Sequence, residues 1–209
     1  MDEIGWAFHR KYGDSRVWLN THWLGTPILK VPLDLWMYQE IMFRTRPDVI
    51  IETGTFLGGS ALYLASICDL LGYGRVISID VAGRKDLPEH ERIVYLTGSS
   101  VDPEVVDRVK AEVADAERVM VILDSDHHKD HVLGELRAFG PLVTRDCYLI
   151  VEDTPAAQMF EEWFDEHADG PAEAIEEYLE SNDSFVVDPS CEKFLMTANP
   201  GGYLKRVAD

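Results

Sequence analysis

Short apolar runs recur along the chain, and most end abruptly on polar or acidic residues. Val49-Ile50-Ile51 leads into Glu52, Val76-Ile77-Ser78-Ile79 into Asp80, and Ile93-Val94-Tyr95-Leu96 into Thr97. The run that starts at Val119 ends on Asp124, and Tyr148-Leu149-Ile150-Val151 ends on Glu152 and Asp153. Such short runs, bounded by turn residues, predict strands buried on both faces. Longer amphipathic stretches between them predict helices over 33–44, 61–71, 102–116, 130–139 and 172–180, with Pro32 and Pro103 at first-turn positions. Toward the carboxyl end, Phe185-Val186-Val187 and Phe194-Leu195-Met196-Thr197 predict closely spaced strands. A third short strand is expected after the turn Asn199-Pro200-Gly201-Gly202. Alternation followed by clustering predicts an α/β, Rossmann-like fold: a mostly parallel, doubly wound sheet with an antiparallel carboxyl-terminal edge.

Residues 1–33 follow no clean period. Trp6, Phe8, Tyr12, Trp18 and Trp23 alternate with His9, Asn20 and His22, which predicts an aromatic/helical arm. It packs over the main domain, over a substrate or over a second subunit, and the first is the favoured expectation. At 209 residues the chain fits one domain, with arm and helix over 1–46 and core over 47–209.

Ligands of an open parallel sheet bind beyond the carboxyl ends of its strands, so the acidic tips are the first site candidates. Asp124, Glu152 and Asp153 come from two strands expected to be neighbours. Crowded carboxylates repel one another, which raises a pKa or calls for a cation. Hard oxygen donors suit Mg²⁺ or Ca²⁺, and a few carboxylates with open positions suit Mg²⁺ well. Asp126 competes with Asp124 for a ligand role, but Asp124 directly follows the strand and is preferred. His127 is three residues beyond it and can take a proton from a substrate hydroxyl beside the cation. His128 and His131 are read as structural.

The turn Glu52-Thr53-Gly54-Thr55-Phe56-Leu57-Gly58-Gly59-Ser60 joins the first core strand to its helix. Phe56 stands where a dinucleotide fingerprint needs its second glycine, which argues against NAD. The spacing Glu52-x-Gly54-x-x-x-Gly58 instead resembles the first motif of class I S-adenosylmethionine-dependent methyltransferases. Asp80 then stands where an acid accepts hydrogen bonds from ribose hydroxyls.

Charge narrows the partners. Lys and Arg total 19 against 38 Asp and Glu, a formal net charge of −19, which disfavours nucleic acid and anionic membranes. The three cysteines, Cys68, Cys147 and Cys191, are widely spaced and suggest neither a disulfide framework nor a zinc site. With no signal-peptide pattern and no long apolar window, a cytoplasmic location is expected.

The segments IIETGTFLGGSALYLA, VISID, GSSVDPEVV, VILDSDHHKDHVL, LVTRDCYLIVEDT, GPAEAIEEYL and EKFLMTANPGGYLKR occur in this order. Together they resemble the cephalosporin hydroxylase family, which includes rhamnosyl and other sugar O-methyltransferases. The resemblance covers nearly the whole chain. It implies a class I methyltransferase fold, S-adenosylmethionine as donor, and Mg²⁺ at Asp124, Glu152 and Asp153. His127 matches a histidine that looks like the general base in related macrolide-sugar enzymes. The implied donor pocket comprises Glu52, Gly54, Thr55, Gly58, Ser60, Asp80, Ser99, Ser100 and Asp124. The implied acceptor is a small hydroxylated sugar or natural product. One departure bears on it: the long Asn- and Gly-rich loop expected after Asp153 is replaced by a stretch running into a helix through Phe164. Two other readings are an iron-dependent hydroxylase using His128, Asp130 and His167, and a non-catalytic donor-binding partner. The aromatic arm is compatible with a homo-oligomer.

Overall fold

The computed structural model describes residues 3–159 and 169–208. Helix α1 (Glu3–Ser15) and a short 3₁₀ turn (Val17–Asn20) precede a small hairpin of β1 (His22–Trp23) and β2 (Thr26–Pro27). Helix α2 (Pro32–Thr45) leads into the alternating core. There β3 (Val49–Thr53), α3 (Gly59–Leu71), β4 (Arg75–Asp80), β5 (Ile93–Thr97), α4 (Pro103–Glu112), β6 (Val119–Leu123), α5 (Lys129–Phe139) and β7 (Tyr148–Val151) follow in turn. The chain continues through α6 (Ala156–Met159), α7 (Pro171–Glu180), β8 (Phe185–Val187) and β9 (Tyr203–Arg206).

The seven-stranded sheet has the order β5-β4-β3-β6-β7-β9-β8, with β3 to β7 parallel and β9 antiparallel to both of its neighbours. This is the predicted α/β, mostly parallel sheet with an antiparallel carboxyl-terminal edge. Alternate residues of each strand face opposite layers. Ile50, Val76, Met120, Ile122 and Ile150 pack against α2 and α3. Ile51, Ile77, Val121, Leu123 and Leu149 pack against α4, α5 and α7. Each fully buried side chain of this kind contributes roughly 1.5–3 kcal/mol, so both faces of the central strands exclude polar residues unless something compensates.

Strand register decides where the tips emerge. Thr53 pairs with Ile79 and Leu123, and Leu123 pairs with Val151. Gly54, Asp80, Asp124 and Glu152 therefore leave the sheet at one level. The connections run outward in opposite directions from β3, so the crevice between β3 and β6 is the topological switch point.

One expectation needs correction. The segment 194–197 is loop, not strand. Leu195 has φ +67° and its N–H donates to Glu192 O at 3.0 Å, which closes a turn where a ladder would need extended backbone. The arm contains the helix α1, for which the sequence shows no period. Only Gly5 and His9 of α1 are buried while Ile4 and Phe8 are exposed, so its buried stripe is too narrow to show as a period. The helix expected through Phe164 lies outside the described residues beyond Met159, as does His167. Among the described residues, no helix is long and apolar enough to cross a membrane.

Candidate functional site

The β3–α3 turn approaches the tip of β6 very closely. A Cβ on Gly54 would lie 1.8 Å from the Asp124 carbonyl oxygen, and the residue has φ +85°, so glycine is required twice over. The Gly54 N–H donates to Ile79 O at 2.8 Å, the Asp124 N–H to Thr53 Oγ1 at 3.2 Å, and the Glu152 N–H to Leu123 O at 2.9 Å. These bonds stitch three strand tips together.

A cavity of about 600 Å³ opens above them. Gly54, Asp80, Ser99 and Ser100 line one end, and Asp124, His127, Glu152 and Asp153 line its middle. The volume lies within the range of about 300–1,000 Å³ typical of ligand pockets. Eight of the twelve residues singled out from the sequence thus share one wall system. The other four support it from behind. Glu52 is buried on β3 and accepts from Ser78 Oγ at 2.7 Å, with Ser60 a further hydrogen-bond partner. Thr55 Oγ1 is 2.7 Å from the same Ser78 Oγ, and Gly58 caps α3 with φ +77°.

Asp80 is held by backbone donors on both carboxylate oxygens. Its Oδ2 accepts the Phe56 N–H and its Oδ1 the Ala82 N–H, both at 2.8 Å, which fixes the carboxylate at the cavity rim. Phe56 has φ +45° and lines the cavity with the Arg84 guanidinium 5.1 Å above its ring.

One participant was not read from the sequence. Lys30, on the strap between β2 and α2, is 6% exposed, and its Nζ hydrogen-bonds Asp124 Oδ2 and lies 2.6 Å from Glu152 Oε1. Burial opposes the ammonium charge, but Asp124, Glu152 and more distantly Glu52 overcome this and raise its pKa. Burial pushes Asp124 and Glu152 above the ordinary carboxylate range, with Lys30 opposing and neighbouring acids adding to the shift. Burial likewise raises Glu52. One ammonium faces four carboxylates once Asp153 is counted, so the site keeps an excess of negative charge. A faint signal existed: Lys30 is the one Lys or Arg between Arg16 and Arg44, and it is flanked by Leu29 and Val31.

The division of Asp124 is informative. With Oδ2 on Lys30, its Oδ1 lies 3.9 Å from His127 Nε2, which is 3.6 Å from Asp153 Oδ2. Ligand atoms of Asp124, His127 and Asp153 all lie within 4.8 Å of one another, a grouping with the size and chemistry to receive a cation. Glu152, expected as the third metal carboxylate, is paired with Lys30. Asp153 has φ +48°, and its N–H donates to Asn199 Oδ1 at 3.1 Å. Asn199 is fully buried and donates from Nδ2 to Tyr38 Oη at 2.9 Å.

The histidines separate by role. His128 Nδ1 is 2.6 Å from Asp126 Oδ1, which also accepts the His128 N–H, so Asp126 organises the loop. His131 Nε2 is 3.1 Å from both Ser100 Oγ and Ser125 Oγ, and Ser125 donates to the buried Glu135 at 2.7 Å. Glu135 raises the pKa of His131. The arm closes the cavity's far end, where His9, Tyr12, Gly13 and Trp18 line it.

Comparisons with known proteins agree with this architecture. The family described as rhamnosyl O-methyltransferase/CmcI matches residues 15–207. The rhamnosyl O-methyltransferase of Mycobacterium tuberculosis (strain H37Rv) is 34% identical, covering 98% of this chain and 86% of that protein. An apo structure of CmcI superposes with a TM-score of 0.70 at 23% identity, over 91% of this chain and 78% of that one. A Mg–SAM complex of CmcI gives 0.68 at 22% over the same shares. With strand order, acid-tipped strands and a match over most of its length in agreement, the chain belongs to the rhamnosyl O-methyltransferase/CmcI family.

Proposed function

We propose that this chain is an O-methyltransferase that uses S-adenosylmethionine and a divalent cation, Mg²⁺, to methylate a hydroxyl of a small sugar-containing acceptor. The observation that carries the reading is the convergence of Gly54, Asp80, Asp124, Asp153 and His127 on one cavity at the switch point of the sheet. Family membership supports it, as do a relative named for rhamnosyl O-methylation and a CmcI structure described with Mg and SAM.

The donor fits the end of the cavity at Gly54, Asp80 and Ser99, where glycine backbone permits close approach and Asp80 accepts from ribose hydroxyls. Asp124 and Asp153 would hold the cation, where carboxylates outnumber the single ammonium. Its chemistry there would be to lower the pKa of an adjacent hydroxyl. His127, within 4 Å of both acids, is the base that takes the hydroxyl proton on Nε2. The hydroxyl oxygen attacks the donor methyl, and the electron pair of the broken carbon–sulfur bond stays on sulfur, leaving S-adenosylhomocysteine. Lys30 holds Asp124 and Glu152 in place and leaves one oxygen of Asp124 for the reacting side. Positioning and an activated nucleophile are the main sources of rate.

Calorimetry tests the reading directly. S-adenosylmethionine should bind the wild type, and Mg²⁺ binding should weaken in Asp153→Asn. His127→Ala should lower kcat about 10²- to 10⁴-fold while donor and cation affinities persist. Absence of donor binding refutes the function, and full turnover by His127→Ala refutes the role of the histidine. The hydroxylase reading is not favoured, because His128 is turned onto Asp126.

A further inference from the structure

The cavity has a second polar end that donor, cation and base leave unused. It is built by one face of α1. His9 and Tyr12 are three positions apart, on the same side of the helix, and both line the cavity. His9 is 6% exposed and its Nδ1 has no hydrogen-bond partner, and the buried Oη of Tyr12 has none either. A buried polar atom left without a partner costs about 1–3 kcal/mol. Two such atoms, on residues of one helix face that both line one cavity, mark a place prepared for a ligand. The remaining buried side-chain atoms without a hydrogen bond among the described residues belong to glutamates, Glu52, Glu135 and Glu152, and that of Glu152 is ion-paired with Lys30.

The chemistry of the pair selects the ligand. A neutral imidazole nitrogen and a phenol each donate or accept according to the partner, as a sugar hydroxyl does. His9 lies within electrostatic reach of Asp153, which places this end of the cavity beside the reacting acids. Tyr12 packs on Val31, Met196 and Ala198, so the helix is anchored where it approaches the cavity. Trp18, whose indole N–H donates to Gly13 O at 3.2 Å, adds an aromatic ring at the same end. Aromatic walls with a few adaptable polar groups suit a sugar ring with apolar C–H faces and hydroxyl edges.

We infer that α1 is the acceptor-recognition element, with His9 Nδ1 and Tyr12 Oη binding hydroxyls of a neutral sugar ring that places a neighbouring hydroxyl at His127. This rests on the sugar O-methyltransferase reading and assigns the specificity of that site to the amino-terminal arm.

The test uses the full chain with methyl α-L-rhamnopyranoside as probe, S-adenosylmethionine and Mg²⁺. Tyr12→Phe should raise the KM of the probe about fivefold and His9→Ala about tenfold, with the loss in KM rather than kcat. His9→Asn, whose amide reaches the position of Nδ1, should recover most of the KM. Calorimetry with S-adenosylhomocysteine should give the same Kd for all variants, and circular dichroism the same helicity. Unchanged KM in Tyr12→Phe and His9→Ala overturns the inference, and so does a matching loss of donor affinity. If the wild type binds S-adenosylhomocysteine but gives no saturation-transfer NMR signal from the probe, the inference fails while the methyltransferase reading stands. A wild type that binds no donor overturns both.

Discussion

Replacing Lys30 by methionine keeps a long unbranched side chain and removes one charge from the most acidic part of the interior. The ammonium hydrogen-bonds Asp124 and lies 2.6 Å from Glu152 Oε1, with side-chain exposures of 5% for Lys30 and 4% for Glu152. Removing one partner of a buried pair leaves an uncompensated charge and costs about 3–5 kcal/mol. In a chain of 150–250 residues each kcal/mol moves Tm by about 2–4 °C, so Lys30→Met should melt about 6–20 °C lower near pH 8. Its pH dependence carries a sign. Burial already raises Asp124 and Glu152, and acids raised in the folded state contribute stability that is present below their unfolded pKa and lost as pH rises through the folded one. Lys30 is the group that lowers both, so its loss raises them further and the penalty grows toward alkaline pH. Thermal melts by circular dichroism should show the wild-type-to-variant gap widest at pH 8 and narrowing toward pH 5. Adding Glu152→Gln to the variant should recover part of the loss, because it removes a charge left without its partner. A gap that is constant with pH, or smaller than about 2 °C at pH 8, refutes the reasoning.

Asp34, to whose shift Asp153 adds only the last of the contributions, offers a second pH test. It is 2% exposed and accepts from Thr197 Oγ1, the Ala198 N–H and Tyr203 Oη, yet burial raises its pKa to about 6 in spite of these bonds. Its contribution should be complete below about pH 4 and fade as pH rises through 6, a change of about 3 kcal/mol. Urea midpoints for Asp34→Asn at pH 4.5 and 7 should lack that slope, and an unaltered slope would contradict the assignment. Gly54→Ala should lose donor affinity in calorimetry and at least about 2 kcal/mol of stability, since the new Cβ meets the Asp124 carbonyl oxygen at 1.8 Å. A variant with wild-type Tm and Kd would show that the turn can move aside.

The features legible in the sequence were those written locally. Apolar runs ending on Asp80, Asp124 and Glu152 mark strand tips, because a strand buried on both faces has no other way to read. The rule for parallel sheets then places those acids in one crevice without knowledge of the register. Lys30 could not be found this way. It comes from an irregular strap 94 positions before Asp124 in sequence, and neither turn chemistry nor period singles it out. The segment 194–197 was misread for a related reason: Met196 is buried but Leu195 is exposed with φ +67°, and only its N–H bond to Glu192 O shows that the backbone turns rather than extends. His9 was passed over within an arm whose single buried stripe is narrower than any detectable period.

These omissions alter the argument for a cation as well as the inventory of residues. From sequence, three crowded carboxylates demanded a positive charge, and Mg²⁺ answered the demand. The fold supplies part of the answer itself, since Lys30 takes up Glu152 and one oxygen of Asp124. The case for a metal therefore no longer rests on crowding in general. It rests on the charge that remains when Lys30 is counted, on the free oxygen of Asp124 facing Asp153, and on His127 within 4 Å of both. Asp124 and Asp153 would hold such a cation in the cavity that Lys30 also lines, within reach of a hydroxyl of a sugar bound by α1. The buried ammonium and the proposed divalent site thus divide one carboxylate between structural and chemical duty.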